Sequence, residues 1–81
     1  ETRKQAFNEA KRQIGVPTSA QPTRIGPNIT RQGQIAPGRV YYFDNGNYIR
    51  DDISGHVFPD GENMGPHFNI SISDIHIFYN R

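Results

Sequence analysis

The stretch RVYYFDNGNYIRDD, residues 39–52, decides the fold class of this chain. Aromatic and β-branched residues flank the central DNGN, and Asn-Gly between such runs is a strong signal for a β-hairpin. Further along, HFNISI and DIHIFY alternate apolar and polar residues and meet near Ser73. This alternation predicts two more antiparallel strands with one buried face. The residues expected on that buried face are Phe68, Ile70, Ile72, Ile75, Ile77 and Tyr79.

The segment before the hairpin predicts one helix and one long loop. Thr2 and Gln5 have the spacing of a capping box, and an apolar stripe at helical spacing follows them. We therefore expect a helix over about residues 3–14, ended by Gly15 and Pro17. Residues 17–38 contain four Pro and three Gly without a sustained period, which is typical of a loop.

Together these elements predict an α+β fold for a single domain over residues 1–81. The N-terminal helix packs on an antiparallel sheet of about four strands, formed within a β region at residues 39–80. The chain has no Cys, which excludes disulfides and thiolate metal sites. No apolar run is long enough for a membrane span.

Charge is divided unevenly along the chain, although the net charge is only +1. Residues 1–43 carry seven Lys and Arg against two Glu, whereas residues 44–81 carry two Arg against six Asp and Glu. A basic half attracts a phosphate backbone through long-range steering and counterion release. The residues expected to bind the RNA backbone are Lys4, Lys11, Arg12, Arg24, Arg31 and Arg39.

The candidate catalytic residues surround the segment GHVFPDGENMGPHFN, residues 55–69, in which two histidines follow Gly or Gly-Pro. A sheet face bearing His, Asn and Arg suits metal-independent cleavage of RNA, which needs a base, an acid and a cation for the phosphorane. We expect His56 and His67 to be the acid and base, and Arg50 to stabilise the phosphorane. Asp51 would orient a histidine or abstract the proton, and Asn69 would donate a hydrogen bond. This hypothesis needs no metal ion or other cofactor.

A third histidine, His76, also belongs to the candidate site. If Ser73 and Asp74 form the turn between the last two strands, His76 faces Ser71. It then lies about 13 Å along the strand from His67. A twist or a bulge would be needed to bring the two imidazoles together.

Two other classes of function compete with the ribonuclease. The histidines with Asp51, Asp52, Asp60 and Glu62 could hold a divalent ion for a metal-dependent DNase. Nucleases of the HNH type place their final ligand on a helix after a hairpin, and the strand-like sequence after His67 ranks this class lower. The long loop and aromatic sheet would alternatively form a non-catalytic protein-binding module.

Several segments resemble one family of bacterial proteins. AKRQIGVPTSAQP, RDDISGH and GPHFN followed by HIFY are similar to the C-terminal toxin domains of polymorphic toxin systems, over about Ala10 to Tyr79. Such domains end large YD-repeat (rearrangement-hotspot), wall-associated and contact-dependent-inhibition proteins. The motif positions that match are Asp51, Gly55, His56, Gly65, Pro66, His67, Phe68 and Asn69. Asp52 stands where relatives often have histidine, and the segment between His56 and His67 is shorter.

The resemblance implies a nuclease toxin secreted or displayed at the end of a larger polypeptide and acting in the cytoplasm of a target cell. It also implies a cognate immunity protein, which we expect to bind the monomeric toxin in a 1:1 complex. Wall-associated members cleave tRNA, so the resemblance favours tRNA as the substrate. The order of helix and sheet resembles the barnase/EndoU/colicin/RelE group of ribonucleases.

Overall fold

The chain forms one helix followed by a series of short strands within residues 2–54, 56–57 and 63–80, which the computed structural model describes. The helix α1 spans Arg3–Gln13. The strands are β1 Arg24–Ile29, β2 Ile35–Tyr42, β3 Tyr48–Asp52, β4 His56–Val57, β5 Asn63–Met64, β6 His67–Ile70 and β7 His76–Phe78.

The helix begins at the predicted capping box. The Gln5 backbone N–H donates to Thr2 Oγ1 at 3.2 Å, and the Thr2 backbone N–H donates to Gln5 Oε1 at 2.9 Å. These two bonds satisfy amide donors that a helix start leaves without partners. Phe7 packs against the sheet, with its ring centroid 5.0 Å from that of Tyr41 and 5.2 Å from that of Phe68. No helix of the described residues is long and apolar enough to cross a membrane.

Five strands form the main sheet in the order β1-β2-β3-β6-β7, and every neighbouring pair is antiparallel. β4 and β5 pair separately as a two-stranded sheet. The predicted α+β fold, with one helix on an antiparallel sheet, is therefore confirmed. The sequence predicted about four strands, and the main sheet has one more because of β1.

The prediction of a loop over residues 17–38 is wrong for residues 24–29 and 35–38, which form β1 and the start of β2. β1 is an edge strand, and no further strand among the described residues pairs with its outer side. Pro27, which has no N–H, is therefore tolerated there. Opposite it, Pro37 and Gly38 lie in a register shift, where Pro27 pairs with Arg39 but Asn28 pairs with Ala36. The residues that usually break strands are thus placed at an edge and in a β-bulge.

The two faces of the sheet follow from the register of its central strands. Ile49 pairs with Ile70, and Asp51 pairs with Phe68, on the face that α1 covers. Asp52, which pairs with His67, points to the opposite face, as do the alternating polar residues of the same strands. The buried cluster between helix and sheet consists of Ala6, Ala10, Ile14, Val16, Phe43, Ile49, Phe68, Ile70, Ile77 and Tyr79.

The turn between β6 and β7 differs from the predicted one. Residues 71–75 connect the strands, so His76 pairs with Asn69 instead of Ser71. Ser71 remains bound to the neighbouring hairpin, because its Oγ accepts from the Tyr48 N–H at 3.0 Å. Ile72 and Ile75, which the alternation predicted as buried, are 54% and 52% exposed in this longer connection.

Candidate active site

The carboxylate of Asp52 is the centre of a polar cluster on the face opposite α1. Its Oδ1 accepts from Asn28 Nδ2 at 2.8 Å, and Asn69 Nδ2 donates to its Oδ2. Arg50 Nε lies 3.4 Å from the same Oδ2. The side chain of Asp52 is only 8% exposed, and a carboxylate in such a position needs donors of this kind. The cluster therefore keeps a negative charge fixed in position on the sheet.

His67 meets this carboxylate from the adjacent strand. Its Nδ1 lies 2.7 Å from the Gly65 carbonyl oxygen, and its Nε2 lies 3.4 Å from Asp52 Oδ2. A carbonyl oxygen only accepts hydrogen bonds, so Nδ1 is the nitrogen that carries the proton. Nε2 then faces a negative oxygen, and this arrangement is favourable when a proton or a metal ion lies on Nε2. The two contacts therefore fix the orientation of the ring and direct Nε2 towards the carboxylate.

Arg50, Asn69 and His76 form the more accessible part of the cluster. The Arg50 side chain is 36% exposed, whereas His67 has no exposed surface. The His76 ring lies 4.8 Å from the His67 ring, between centroids, and both contact the ring of Phe78. Nδ1 of His76 is buried, and no residue in the described part of the chain forms a hydrogen bond with it. A ligand on this face would thus meet a guanidinium, an amide and an imidazole.

The structure brings together four of the six candidate catalytic residues: His67, Arg50, Asn69 and His76. The close approach of His76 corrects the expected distance from His67, because the longer turn shifts its register. The side chain of His56 lies outside the described part of the chain, as do Asp60 and Glu62.

Asp51, the remaining candidate, lies on the other face of β3, away from His67. Arg3 Nη2 donates to its Oδ2 at 2.7 Å, and the Tyr79 hydroxyl donates to its Oδ1 at 2.6 Å. Burial, together with the bond to Asp51, raises the pKa of Tyr79 to about 12. Burial alone would lower the pKa of Arg3, but hydrogen bonds to Asp51 and Tyr41 raise it above its ordinary value. This ion pair joins helix and sheet and does not reach the Asp52 cluster.

Sequence reasoning missed the two residues that organise the site. Asp52 was considered only as a possible metal ligand, and Asn28 was not considered. The alternation of side chains along β3 could have identified Asp52. Ile49 is apolar and marks the buried face, and Asp51 lies two residues further on that face, so Asp52 points to the opposite one. No local signal marks Asn28, whose partners Asp52 and Pro37 are distant in sequence.

The six basic residues predicted to bind a phosphate backbone do not share one surface. Lys11 is buried, its Nζ donates to the Thr18 carbonyl oxygen at 2.9 Å, and burial lowers its pKa. Arg12 pairs with Glu9 at 3.0 Å on the exposed side of α1, where Lys4 also lies. Arg39 and Arg31 are exposed on β2 and in the β1–β2 turn. Arg24 alone of the six lies on the Asp52 face by its register with Tyr42.

A metal ion at this face would find a partial set of ligands. Asp52 and His67 are donors of the right type, and the Gly65 carbonyl fixes the tautomer in the manner of a ligand histidine. Among the residues that the structure describes, no group of three or more His, Cys, Asp or Glu side chains could hold a metal ion. Any further ligands would therefore come from other residues.

A family model for HNH/Endo VII superfamily nuclease toxins matches residues 27–80, two thirds of the chain and all of its polar cluster. The chain belongs to the HNH/Endo VII superfamily nuclease toxins. The sequence resemblance to nuclease toxin domains of polymorphic toxin systems is thereby confirmed. No curated protein and no solved structure matches the chain.

Membership of the HNH/Endo VII superfamily makes the metal-dependent nuclease at least as plausible as the ribonuclease that the sequence favoured. The HNH class ranked lower because no helix was expected after His67. Residues 67–80 indeed contain two strands and no helix. In this member of the family, His67 and His76 lie on the neighbouring strands β6 and β7. Both strands lie within the residues that the family model matches.

Proposed function

We propose that this domain is an endonuclease toxin that cleaves DNA at the face surrounding Asp52. The observation that carries the proposal is the Asp52–His67 pair, in which His67 Nε2 lies 3.4 Å from Asp52 Oδ2, with Arg50 at the same oxygen. Family membership supports DNA as the first substrate, because members of the HNH/Endo VII superfamily are typically DNases.

The phosphate would be bound by the accessible donors of the cluster. A guanidinium offers two N–H donors in the geometry of a phosphate, and Arg50 is held in place by its contact with Asp52. Asn69 lies beside Arg50 across the β3–β6 register and supplies an amide. Both donors would stabilise the negative charge that develops on phosphorus during cleavage.

Proton transfer would be the role of the two imidazoles. His76 is half-buried and its ring lies 4.8 Å from that of His67, between centroids, so it would exchange a proton with the attacking or the leaving oxygen of a phosphate bound at Arg50. His67 lies beneath it, and Asp52 stabilises the charged form of its ring. A divalent ion on Asp52 and His67 would supply a Lewis acid next to the phosphate.

The test is cleavage of plasmid DNA by the wild-type domain and by matched variants, with Mg²⁺ and with EDTA. We expect nicking by the wild type and by the control Asp74→Asn, which changes an exposed aspartate. Asp52→Asn and His76→Ala should each lower the rate about 100-fold or more, the scale of a lost acid or base. An Asp52→Asn variant as active as the control would refute this active site.

RNA, and tRNA in particular, is the second candidate substrate. The observation that favours it is the contact of two imidazoles, because a neighbouring acid and base suffice to cleave RNA through its 2′-hydroxyl. In the same assay, discrete tRNA fragments that persist in EDTA, with intact plasmid, would identify a metal-independent ribonuclease. Intact nucleic acids in every sample would instead favour the protein-binding module.

The biological setting is proposed from family membership. A nuclease toxin requires protection of the cell that makes it, so we propose a cognate immunity protein that forms a 1:1 complex with the domain. An acidic surface on that protein would complement the exposed arginines of the β1–β2 hairpin and speed their association. The toxin would be delivered at the end of a larger bacterial protein and act in the cytoplasm of the target cell.

A further inference from the structure

Three side chains form an aromatic–arginine strip on the same face as Asp52. We define the strip as Arg24, Tyr42 and Tyr48, from β1, β2 and β3. The Arg24 guanidinium carbon lies 4.0 Å from the centroid of the Tyr42 ring. The Tyr42 and Tyr48 ring centroids are 6.1 Å apart, with 55° between the planes. The strip therefore consists of the Tyr48 ring next to a Tyr42 ring whose face the Arg24 guanidinium covers.

The strip lies next to Arg50, the residue proposed to bind phosphate, along β3. Tyr48, Arg50 and Asp52 are alternate residues of β3 and point to one face. At ~3.3 Å per residue, Tyr48 lies ~6.6 Å along the strand from Arg50, and Asp52 lies the same distance on the other side. A nucleotide strand with a phosphate on Arg50 would place a neighbouring nucleotide at Tyr48.

The core does not account for the position of the strip. Tyr41 and Ile49, which pair on the opposite face, pack under α1, and they fill the buried side of these strands. Tyr48 is 38% exposed, and Arg24 is exposed beside it. Cross-strand pairing of the two tyrosines stabilises the hairpin, yet it leaves their outer surface in water. Exposed aromatic rings next to a cation are the elements that bind successive bases of a single strand.

We infer that the aromatic–arginine strip is a nucleotide subsite that stacks an unpaired base next to the cleaved phosphate. The inference rests on the proposed nuclease function and deepens it, because it specifies the state of the substrate. A base inside a duplex has both faces covered by its neighbours and cannot reach Tyr48. The domain therefore prefers a single strand, or an unpaired segment, over a continuous duplex of the same sequence.

The experiment compares Arg24→Ala with Arg39→Ala as a matched pair. Both substitutions remove one exposed arginine from the β1–β2 hairpin, but Arg39 pairs with Pro27 and points to the opposite face. Tyr48→Ala is compared with Tyr48→Phe, which keeps the stacking ring. Circular dichroism and thermal unfolding establish that each variant is folded.

Binding is measured by fluorescence anisotropy with a labelled 12-nucleotide single strand, in EDTA, and with its duplex. DNA and RNA strands are used in parallel to distinguish the two sources of unpaired nucleotides. Arg24→Ala and Tyr48→Ala should weaken single-strand binding about ten-fold, the scale of one lost stacking contact. Arg39→Ala and Tyr48→Phe should bind within about two-fold of the wild type, because Arg39 lies on the opposite face and the Tyr48→Phe variant keeps the stacking ring.

Cleavage rates separate the subsite from the nuclease proposal. If wild type binds single strands through the strip but cuts no nucleic acid, the subsite stands and the proposed function fails. If wild type cuts nucleic acid but the Arg24 and Arg39 variants bind alike, the subsite is overturned and the nuclease stands. Binding of the duplex as tightly as the single strand also overturns it, as does equal loss in Tyr48→Ala and Tyr48→Phe.

Discussion

Two adjacent aspartates serve separate purposes because a strand turns successive side chains to opposite faces. Asp51 points towards α1, where Arg3 and Tyr79 bind its two oxygens. Asp52 points to the open face, where it joins Arg50 and His67. Asp51 therefore stabilises the contact between α1 and the sheet, and Asp52 organises the candidate site.

The first prediction concerns Asp51→Asn. Removal of this buried charge leaves Arg3 without its partner, which costs about 3–5 kcal/mol in a fully buried pair. The Arg3 side chain is 47% exposed, and solvent screening reduces the expected loss to about 1–3 kcal/mol. Urea unfolding measures this loss. Nuclease activity of the folded variant should stay close to wild type, and inactivation of a folded Asp51→Asn protein would contradict the separation of roles.

The second prediction is that the free energy of unfolding depends on pH through the titration of Tyr79. Its pKa is raised from 10.0 to about 12, by burial first and by its bond to Asp51. A pKa that is higher in the folded state contributes stability that is complete below pH 10 and is lost as the pH rises towards 12. Tyr79→Phe lacks this titration. Urea unfolding from pH 9 to 12 should therefore show a stability difference between the two proteins that narrows with increasing pH. A difference independent of pH would contradict the raised pKa of Tyr79.

At the scale of the elements, the bulge at Pro37 and Gly38 positions the candidate site. Gly38 has a φ of 110°, and a Cβ there would lie 1.9 Å from the Asp51 carbonyl oxygen. The close approach of β2 to β3 lets Asn28 donate both to the Pro37 carbonyl oxygen and to Asp52. A glycine in β2 is thus required for a contact between the strands on either side of it.

The third prediction compares Gly38→Ala with Gly33→Ala. Both glycines have positive φ, so each alanine carries a backbone cost of about 1–2 kcal/mol. Nothing lies within 4 Å of a Cβ at Gly33, whereas the Gly38 Cβ meets backbone. Gly38→Ala should be the more destabilised protein by thermal unfolding, and its activity should fall because β2 moves away from β3. Equal stability of the two variants would contradict the described bulge.

The elements that sequence predicted well are those with local signals. Thr2 and Gln5 mark the start of α1, and Asn45 with Gly46 marks the hairpin between β2 and β3. β1 was missed because Pro27 signals a break, and nothing in the sequence says that the strand lies at an edge. The register of His76 was missed for a related reason, because it depends on the length of the turn that follows Ile70.

For the molecule as a whole, the sheet separates the face that α1 covers from the face that carries the candidate site. α1 covers β6 and β7 with the buried cluster, and the opposite face carries the Asp52 cluster. β3 and β6 are central, while the β1–β2 hairpin extends to an edge where Ile29 and Ile35 are 49% and 78% exposed. Stability should therefore fall from the centre of the sheet towards the tip of that hairpin.

The fourth prediction is the order of amide hydrogen exchange. Ile49 and Phe68, in the two central strands, have no exposed surface, and their amides should exchange last. Amides near Ile29 and Ile35 should exchange first among the strand residues, since few buried contacts hold that tip. Exchange followed by NMR at neutral pH resolves the individual amides. Equal protection of the tip and of β3 would contradict a gradient across the sheet.

The ion pair of Arg3 with Asp51, completed by Tyr79, also sets an order for folding. Its three members come from the first helix, a central strand and the residue after the last strand. Asp51 is 1% exposed, and its burial is favourable only once its donors have arrived. A chain that emerges from a ribosome or a pore in sequence order cannot complete this core until residue 79 has passed. The domain therefore completes this core late in folding, after both its first helix and the residue after its last strand are available.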